Sequence, residues 1–459
     1  MKAKQKCPVR IGKAYQIEIT DLTHDGEGIG RVDDFAVFVP EALPGDVVLG
    51  RVISTKKTYA RALIEKILTE SEQRIKPFCP QAESCGGCQL AYMGYEYQLA
   101  WKQKRVQDAI RRIGRIEAEV LPIIGMDNPE GYRNKSQFPV GLQDNRLVMG
   151  FYQKRSHNIV DTDYCRIQHP LINKAAKVVK QALIDLNIEP YNEQNHTGVV
   201  RHAVIRTSFS RKTLMVIFVT RTNEFPHQGE LVAELTKKLP ELTSIYQNIN
   251  PKVTNVIFGY ESRLLWGEAY LLDQIGDLEF AISPRSFFQV NPHQTKVLYD
   301  LAKETAGLTG KETVWDLYCG IGTIGLYLAS DAEKVIGVET VPEAVEDARF
   351  NADLNGIRHA EFYTGKAEDL APKLLDQGLK PDVVIVDPPR RGCDPSLLET
   401  IQKVQVPKVV YVSCNPSTLA RDLGILVEAG YRVESVQPVD MFPDTSHVET
   451  VVSLSHKRT

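Results

Sequence analysis

Two residues with reactive side chains follow strand-like segments in the second half of the chain. Asp387 ends the run VVIVDPPRRG, in which Pro388 and Pro389 restrict the backbone around the carboxylate. Cys414 stands in YVSCNP, on a turn that Pro416 restricts. If the two segments are neighbouring strands of one sheet, a carboxylate and a thiol meet at its edge. Such a thiol could be a covalent nucleophile, and the alternative is a buried structural cysteine.

A glycine-rich loop precedes these residues. The run WDLYCGIGTIG follows a predicted strand and opens a helix, where Gly320, Gly322 and Gly325 allow a ligand close to the backbone. Glu339 ends the next predicted strand, nineteen positions after Gly320, a spacing that suits a carboxylate on ribose hydroxyls. The spacing fits NAD as well as other nucleoside cofactors. The order D-L-x-C-G-x-G-T-I-G resembles the cofactor loop of S-adenosylmethionine methyltransferases and favours that cofactor.

Strands and helices alternate from about residue 291 onward, and these motifs lie within that stretch. Predicted strands such as TVWDLY, KVIGVE, DVVIVD and KVVYVS are each followed by a predicted helix. This alternation predicts an α/β doubly wound, Rossmann-like sheet. Ligands bind such sheets at the carboxyl ends of the strands, which is where Asp387 and Cys414 stand.

The run SHVETVV near the end of the chain offers a base. His447 and Glu449 share one face of the predicted final strand, so periodicity allows either, and we favour Glu449. One reaction would use both a thiol and a base. A thiolate that adds to carbon 6 of a uracil ring turns carbon 5 into a nucleophile, which can take the methyl group from the sulfonium of S-adenosylmethionine. The methylated carbon 5 must then lose its proton before the thiol is eliminated, which requires a base.

Five motifs, FFQVN, DLYCGIGTIG, DPPRRG, SCNP and HVET in that order, resemble the RNA (uracil-5-)-methyltransferase family. The resemblance covers the predicted catalytic domain, residues 291–459, and implies a class I methyltransferase. It implies that Cys414 is the nucleophile and Glu449 the proton-abstracting base. We predict that Cys319 and Cys393 only pack. The expected cofactor contacts, from the family and the glycine loop, are Gln289, Tyr318, Gly320, Gly322, Glu339 and Asp387.

The first part of the chain predicts a small β-barrel over residues 8–67, because short β-rich runs alternate there with turn segments. The stretch HDGEGIGRVDDFAVFVPEALPGD resembles the TRAM module, an OB-like RNA-binding barrel. It departs from that pattern at Asp33, Asp34 and Phe35, where a glycine is common, so the hairpin geometry is open there. The alternative is a generic barrel that packs on its neighbour.

A cysteine motif marks the central segment, residues 68–290, which we predict to be an α+β domain. Cys79, Cys85 and Cys88 form C-x5-C-G-G-C, and Cys165 follows seventy-seven residues after Cys88. Four thiolates suit either tetrahedral zinc or an iron–sulfur cluster. The stretch resembles the iron–sulfur subgroup of the family, which implies a [4Fe-4S] cluster with a structural or a redox role. Cys7 we assign to a mobile terminus.

The expected substrate is RNA. Barrel and cysteine motif together resemble the 23S ribosomal RNA enzymes of the family, whose transfer-RNA members are commonly shorter and lack both. The run GYRNKSQF offers Tyr132, Arg133 and Lys135 as RNA contacts. The basic helix with Lys102 and Arg105 offers phosphate contacts, or alternatively only a solvated face. Whether one or two uridines are modified stays open.

Bulk composition fits a soluble protein. The 459 residues carry a net charge of −3 and contain 43% hydrophobic residues, without the ~18-residue apolar run of a membrane span. No secretory signal can be read, so we expect a cytoplasmic protein with no membrane partner and no obligatory protein partner. Three alternatives stay open: a transfer-RNA uracil-5-methyltransferase, a methyltransferase of exocyclic amines, which D-P-P also resembles, and a non-catalytic RNA-binding or iron–sulfur protein.

Overall fold

The computed structural model describes residues 7–456, which form two compact units. The first comprises the chain up to Arg105 together with a short later segment, Phe442–His447. The second comprises Val106–Met441 and the chain from Val448 onward. The chain therefore passes from one unit to the other three times.

The first unit begins with a closed five-stranded barrel in the order β1-β2-β3-β5-β4. Its interior is filled by alternate residues of the strands, among them Ile17, Val37 and Val48. Asp33 and Asp34 have φ angles of 47° and 62° and form the two-residue turn between β2 and β3. This is a turn in which both residues are left-handed, and aspartate tolerates it better than most residues. The strands are β1 (Ala14–Leu22), β2 (Gly28–Val32), β3 (Phe35–Val39), β4 (Val47–Thr55) and β5 (Tyr59–Thr69).

The segment Phe442–His447 is held in the first unit by buried hydrogen bonds. The Gln98 side chain donates to Asp444 Oδ1 at 3.0 Å and accepts from the Asp444 backbone N–H at 3.0 Å. The Leu90 N–H donates to the Asp444 carbonyl. Asp444 itself has a left-handed φ of 64°. These paired contacts fix the course of the segment.

The second unit contains a seven-stranded mixed sheet in the order β12-β11-β10-β9-β6-β7-β8. Its central strands β9 and β10 are buried along their whole length, so neither shows the alternating pattern of a half-buried strand. Helices α2 and α3 pack on it. The elements from the start of α1 are α1 (Tyr95–Arg112), β6 (Lys135–Gln143), β7 (Arg146–Tyr152), β8 (Ile159–Asp161), α2 (Pro170–Asp185), β9 (Val200–Thr207), β10 (Leu214–Thr220), α3 (Gln228–Lys238), β11 (Leu242–Ile249), β12 (Glu261–Gly267), β13 (Leu271–Ile275) and β14 (Leu278–Ile282).

A second seven-stranded sheet, in the order β17-β16-β15-β18-β19-β21-β20, confirms the predicted doubly wound fold. β21 runs antiparallel to β19 and β20, and the other pairs of this sheet are parallel. Residues such as Leu317, Val386 and Val409 belong to one apolar core that packs against this sheet. The elements are α4 (Pro292–Ala306), β15 (Thr313–Leu317), α5 (Thr323–Leu328), β16 (Lys334–Glu339), α6 (Pro342–Leu354), β17 (Ala360–Thr364), α7 (Ala367–Asp376), β18 (Val383–Val386), α8 (Pro395–Val404), β19 (Lys408–Ser413), α9 (Pro416–Glu428), β20 (Tyr431–Val439) and β21 (Glu449–His456).

Two details of the chain differ from the sequence predictions or bear on them. The final strand begins at Glu449, so His447 does not share a strand face with it, and that part of the prediction is wrong. The hydrogen bond from the His447 N–H to Thr445 Oγ1 belongs to the preceding segment. Among the helices of residues 7–456, none is long and apolar enough to cross a membrane.

Candidate active site

The predicted cofactor loop connects β15 to α5 and has an unusual backbone. Tyr318, Gly320 and Gly322 all have positive φ, at 71°, 56° and 82°. A side chain on Gly322 would meet the ring of Phe362 and the methyl of Ala348 at 3.1–3.2 Å, which explains the glycine. The left-handed tyrosine is costly for a residue with a side chain, and such strain concentrates at functional sites.

Glu339 closes this loop from the end of β16. Its Oε1 accepts hydrogen bonds from the Thr340 and Val341 N–H groups at 2.6 and 2.9 Å and from Thr340 Oγ1 at 2.9 Å. Its Oε2 accepts one from the Gly320 N–H at 3.2 Å. Oε2 has two lone pairs and accepts this one bond among the described residues, so it retains capacity for a hydroxyl donor. The arrangement suits a ribose-binding carboxylate.

Asp316, which the sequence reasoning passed over, lies beneath the same loop. It is 1% exposed, its Oδ2 accepts from the Gly325 N–H at 2.8 Å, and its Oδ1 meets no donor among the described residues. Burial raises its pKa to about 7, against the Gly325 hydrogen bond, which lowers it. The aspartate of the D-L-x-C-G motif was the available signal.

Cys414 stands between β19 and α9, beside the loop that carries Asp387. The strands β18 and β19 are parallel neighbours, as the sequence predicted. Asn415, the N-cap of α9, donates from Nδ2 to the Arg390 carbonyl at 2.9 Å, and Thr418 Oγ1 donates to the same oxygen at 3.1 Å. These two bonds join the DPPRRG loop to the SCNP turn.

The ionisable groups of this region influence one another. Burial, followed by the negative charges of Glu449 and Asp387, raises the pKa of the Cys414 thiol to about 12, although Arg390 acts in the opposite direction. Burial and then Asp387 raise the pKa of Glu449 well above its usual range, and Arg390 again lowers it. Burial, followed by Asp316, raises the pKa of Asp387 to about 7. The structure thus brings the predicted thiol, base and cofactor carboxylate close enough for their charges to influence one another, and Arg390 acts on the thiol and the base.

Gln289 lies in the FFQVN segment, which is firmly anchored. Its carbonyl accepts from Asn134 Nδ2 at 2.9 Å, and the Asn134 N–H donates to the Val290 carbonyl at 2.8 Å. Asn291 is the N-cap of α4, and its Nδ2 donates to the Met441 carbonyl at 3.0 Å. Asn134 therefore has an anchoring role within the GYRNKSQF run, a role that the sequence reasoning missed.

The predicted RNA contacts divide into surface and interior residues. Arg133 and Lys135 are half-buried, and burial followed by repulsion from Arg206 lowers the pKa of Lys135 to about 7. Tyr132 is 0% exposed and lies in the interior. Lys102 is also 0% exposed, and its Nζ donates to the Phe442 carbonyl at 3.0 Å. The rings and amines of these last two residues are therefore not presented at the surface.

The eight cysteines form no disulfide. Cys319 and Cys393 are buried, as expected of packing residues, and Cys7 is exposed. Cys85 Sγ accepts a hydrogen bond from the Gly87 N–H at 3.4 Å, and the Cys165 N–H donates to Asn173 Oδ1 at 2.9 Å. Across residues 7–456, no three Cys, His, Asp or Glu side chains lie close enough to hold a metal ion.

Fold and site together define a class, the RNA methyltransferases with an S-adenosylmethionine fold, and comparison with known proteins agrees. An uncharacterized RNA methyltransferase of Halalkalibacterium halodurans is 50% identical over 99% of this chain and 100% of its own length. Another from Oceanobacillus iheyensis is 46% identical over 99% of both chains. Residues 274–457 match the tRNA (Uracil-5-)-methyltransferase family, and residues 8–64 match the TRAM domain.

A solved structure gives the same result. The Pyrococcus abyssi tRNA (uracil-54, C5)-methyltransferase, determined in complex with S-adenosyl-L-homocysteine, has a TM-score of 0.77 and 30% identity. The similarity covers 96% of this chain and 100% of that one. The chain belongs to the RNA uracil-5-methyltransferase family and carries that family's TRAM domain.

Proposed function

We propose that the chain methylates carbon 5 of specific uridines in 23S ribosomal RNA, with Cys414 as nucleophile and Glu449 as base. The supporting observation is the group formed by Cys414, Glu449, Asp387 and Arg390, at the sheet edge where β18 and β19 end and the antiparallel strand β21 begins. We further propose a cytoplasmic setting, because reducing conditions keep thiols such as Cys414 free.

The reaction proceeds through a covalent intermediate. The Cys414 thiolate adds to carbon 6 of uracil, and the electron pair of the C5–C6 double bond moves toward the carbonyl oxygen as an enolate. When bound, S-adenosylmethionine would supply the methyl group from its sulfonium, and S-adenosylhomocysteine would leave with the electron pair of the broken S–CH3 bond. Carbon 5 takes that methyl group, Glu449 accepts the carbon 5 proton, and the C6–S bond breaks to regenerate the double bond and the thiolate.

Arg390 is the group that makes this chemistry possible within a cluster of carboxylates. It opposes the raised pKa of both Cys414 and Glu449, so it favours the thiolate and the carboxylate that the reaction needs. The N-terminus of α9, immediately after Cys414, favours the thiolate in the same direction. We assign Gln289, Tyr318, Gly320, Gly322, Glu339 and Asp387 to cofactor binding.

Two RNA classes compete as substrate. The TRAM domain combined with the cysteine motif supports 23S ribosomal RNA, by resemblance. The Pyrococcus abyssi structure favours transfer RNA, because this chain covers all of that enzyme and length therefore does not separate the two groups. A methylation assay on 23S and transfer-RNA fragments decides between them.

The test of the mechanism is a denaturing gel of protein incubated with S-adenosylmethionine and RNA containing 5-fluorouridine, whose fluorine cannot leave as a proton. We expect a slow-migrating adduct with wild type and with Cys7→Ala, a thiol control, and none with Cys414→Ala. Methyl transfer that persists in Cys414→Ala without any adduct would contradict the proposal and favour methylation of an exocyclic amine.

We also propose that Cys79, Cys85, Cys88 and Cys165 bind a [4Fe-4S] cluster, with zinc as the alternative. The four cysteines are not in disulfides, and Cys85 Sγ accepts a hydrogen bond from an N–H group. Both features suit a cysteine ligand of either a cluster or zinc. The described side chains are not gathered around one point, so we assign the group no step of the reaction. Iron, sulfide and zinc analysis of anaerobically purified protein, with Cys85→Ser and Cys7→Ser compared, tests this. Equal metal content in both variants would exclude the cysteine site.

A further inference from the structure

The loop between β11 and β12, residues 250–260, presents apolar side chains to solvent. Tyr260 is 80% exposed, Val253 71% and Val256 64%. Single exposed apolar residues are common on protein surfaces, but three within one loop form a patch that water solvates poorly. The loop belongs entirely to the second unit and lies outside the cofactor and nucleophile loops.

Buried polar side chains hold this loop in one conformation. The guanidinium of Arg201, 5% exposed, donates to the carbonyls of Asn250, Lys252 and Thr254 at 2.7–2.9 Å. The Asn250 side chain donates to the Val256 carbonyl at 2.7 Å. A loop braced from within loses little conformational entropy on binding.

Asn248 adds a further constraint at the far end of the loop. Its side chain donates to the Gly259 carbonyl at 3.1 Å and accepts from the Gly259 N–H at 2.7 Å. At Gly259 a side chain would collide with the Ile249 carbonyl at 1.8 Å, so only glycine permits this approach. Tyr260, the next residue, is thereby fixed at its base while its ring stays in solvent.

Two cations lie within cation–π distance of the ring of Tyr260. Lys252 Nζ lies 5.0 Å from the ring centroid, and the Arg285 guanidinium carbon lies 5.8 Å from it. Arg285 also donates to the Tyr260 carbonyl at 2.8 Å, and it is 3.5 Å from the Glu343 carboxylate. Because the residue is 80% exposed, most of the ring surface remains accessible. An exposed aromatic ring beside basic side chains is the combination that binds single-stranded nucleic acid.

We propose that residues 250–260 and Arg285 form a stacking platform for an unpaired base of the RNA substrate, an inference that rests on the proposed function. The base stacks on Tyr260, and Lys252 and Arg285 meet the phosphates beside it. Arg285 stands four residues before Gln289, so one residue of the platform is close in sequence to a predicted cofactor contact. The platform binds RNA that flanks the target uridine.

Binding is measured with full-length protein and a fluorescent single-stranded RNA, by anisotropy at several salt concentrations. Tyr260→Ala weakens binding about tenfold, within the range of base–aromatic stacking, and Tyr260→Phe restores it to within about twofold. Leu142→Ala, an exposed apolar control at 52%, leaves the affinity unchanged. Lys252→Ala lowers the steepness of the plot of log K against log salt by about 0.7, because one phosphate contact is lost. Lys237→Ala, which changes an exposed lysine on α3, is the control and leaves that slope unchanged.

Location is tested by cross-linking RNA that contains 4-thiouridine and digesting with trypsin. The platform predicts RNA on the peptide Val253–Arg263, which contains Tyr260. Wild-type affinity in Tyr260→Ala, or cross-links that avoid this peptide, would overturn the platform. Methyl transfer to uridine is assayed separately on wild type. If wild type methylates RNA but Tyr260→Ala binds normally, only the platform fails, and if wild type methylates no RNA, the proposed function fails.

Discussion

Glu339 at the cofactor loop and Glu449 in the nucleophile region differ in what surrounds their carboxylates. Glu339 accepts four hydrogen bonds from neighbouring N–H and hydroxyl groups, a network that fixes the orientation of its carboxylate. Glu449 is 4% exposed, and burial together with the charge of Asp387 raises its pKa. A carboxylate that grips a ligand benefits from fixed donors, whereas one that accepts a proton needs a raised affinity for it.

The largest test of this contrast is Glu449→Gln. We expect turnover to fall by about 10²–10⁴-fold, because the methylated carbon 5 keeps its proton and the thiol cannot leave. The covalent adduct should then accumulate on ordinary uridine RNA, visible on a denaturing gel. Glu434→Gln, an exposed glutamate on β20, is the control. Normal turnover in Glu449→Gln would assign the base elsewhere.

Arg390→Gln sharpens the comparison, because it removes the one cation found to lower the pKa of both Cys414 and Glu449. We expect adduct formation to slow about tenfold at neutral pH, which is one pKa unit of thiolate stabilisation, and to recover as pH rises. The neighbouring Arg391→Gln removes the same charge one position along the chain. If both variants slow adduct formation equally, a general charge effect replaces the specific one.

Glu339→Gln tests the binding carboxylate. The amide keeps one acceptor oxygen but loses the charge, so we expect the dissociation constant of S-adenosylmethionine to rise about tenfold, as for hydrogen bonds to a charged group. The rate at saturating cofactor should change little. Isothermal titration calorimetry measures the affinity, with exposed Glu333→Gln as the matched variant. A loss of rate without a loss of affinity would remove Glu339 from the binding group.

The smallest effect is on stability, through Asp316. Burial raises its folded pKa to about 7, above the ordinary value near 3.9, so ionisation opposes folding. The contribution of Asp316 to the free energy of unfolding is complete below about pH 4 and is lost as pH rises through about 7. We expect Asp316→Asn to remove at least about 1 kcal/mol of that decline, or roughly 2–4 °C at the midpoint. Thermal unfolding at several pH values measures it against Asp353→Asn on α6, and parallel curves would refute it.

The sequence was sufficient for the catalytic sheet because each strand and helix there has its own local signal. The strand ends that carry Asp387 and Cys414, and the parallel pairing of β18 with β19, follow from short motifs and alternation. The central sheet was out of reach, since β9 and β10 are buried on both faces and show no periodicity. A strand that is buried at every position has no alternation of polar and apolar residues from which it could be predicted.

Charged and aromatic residues misled the reasoning for a related cause. Tyr132 was expected to contact RNA, and Lys102 either to contact phosphates or to lie on a solvated helix face. Both side chains are fully buried, because residue type records polarity and not the surrounding packing. The interplay of Asp316, Asp387 and Glu449 depends on segments far apart in the chain. No local motif carries that information, whereas the left-handed turn at Asp33 and Asp34 needed only two tolerant residues.

The short segment Phe442–His447 limits how the coding regions of the two units can be exchanged by recombination. It lies between β20 and β21 of the catalytic sheet in sequence, but it is counted within the first unit and hydrogen-bonded there to Gln98 and Leu90. No single cut of the gene separates the two units as intact pieces. Recombination that exchanged the barrel-bearing half alone would leave its replacement without this segment, so the two halves are expected to evolve as one lineage.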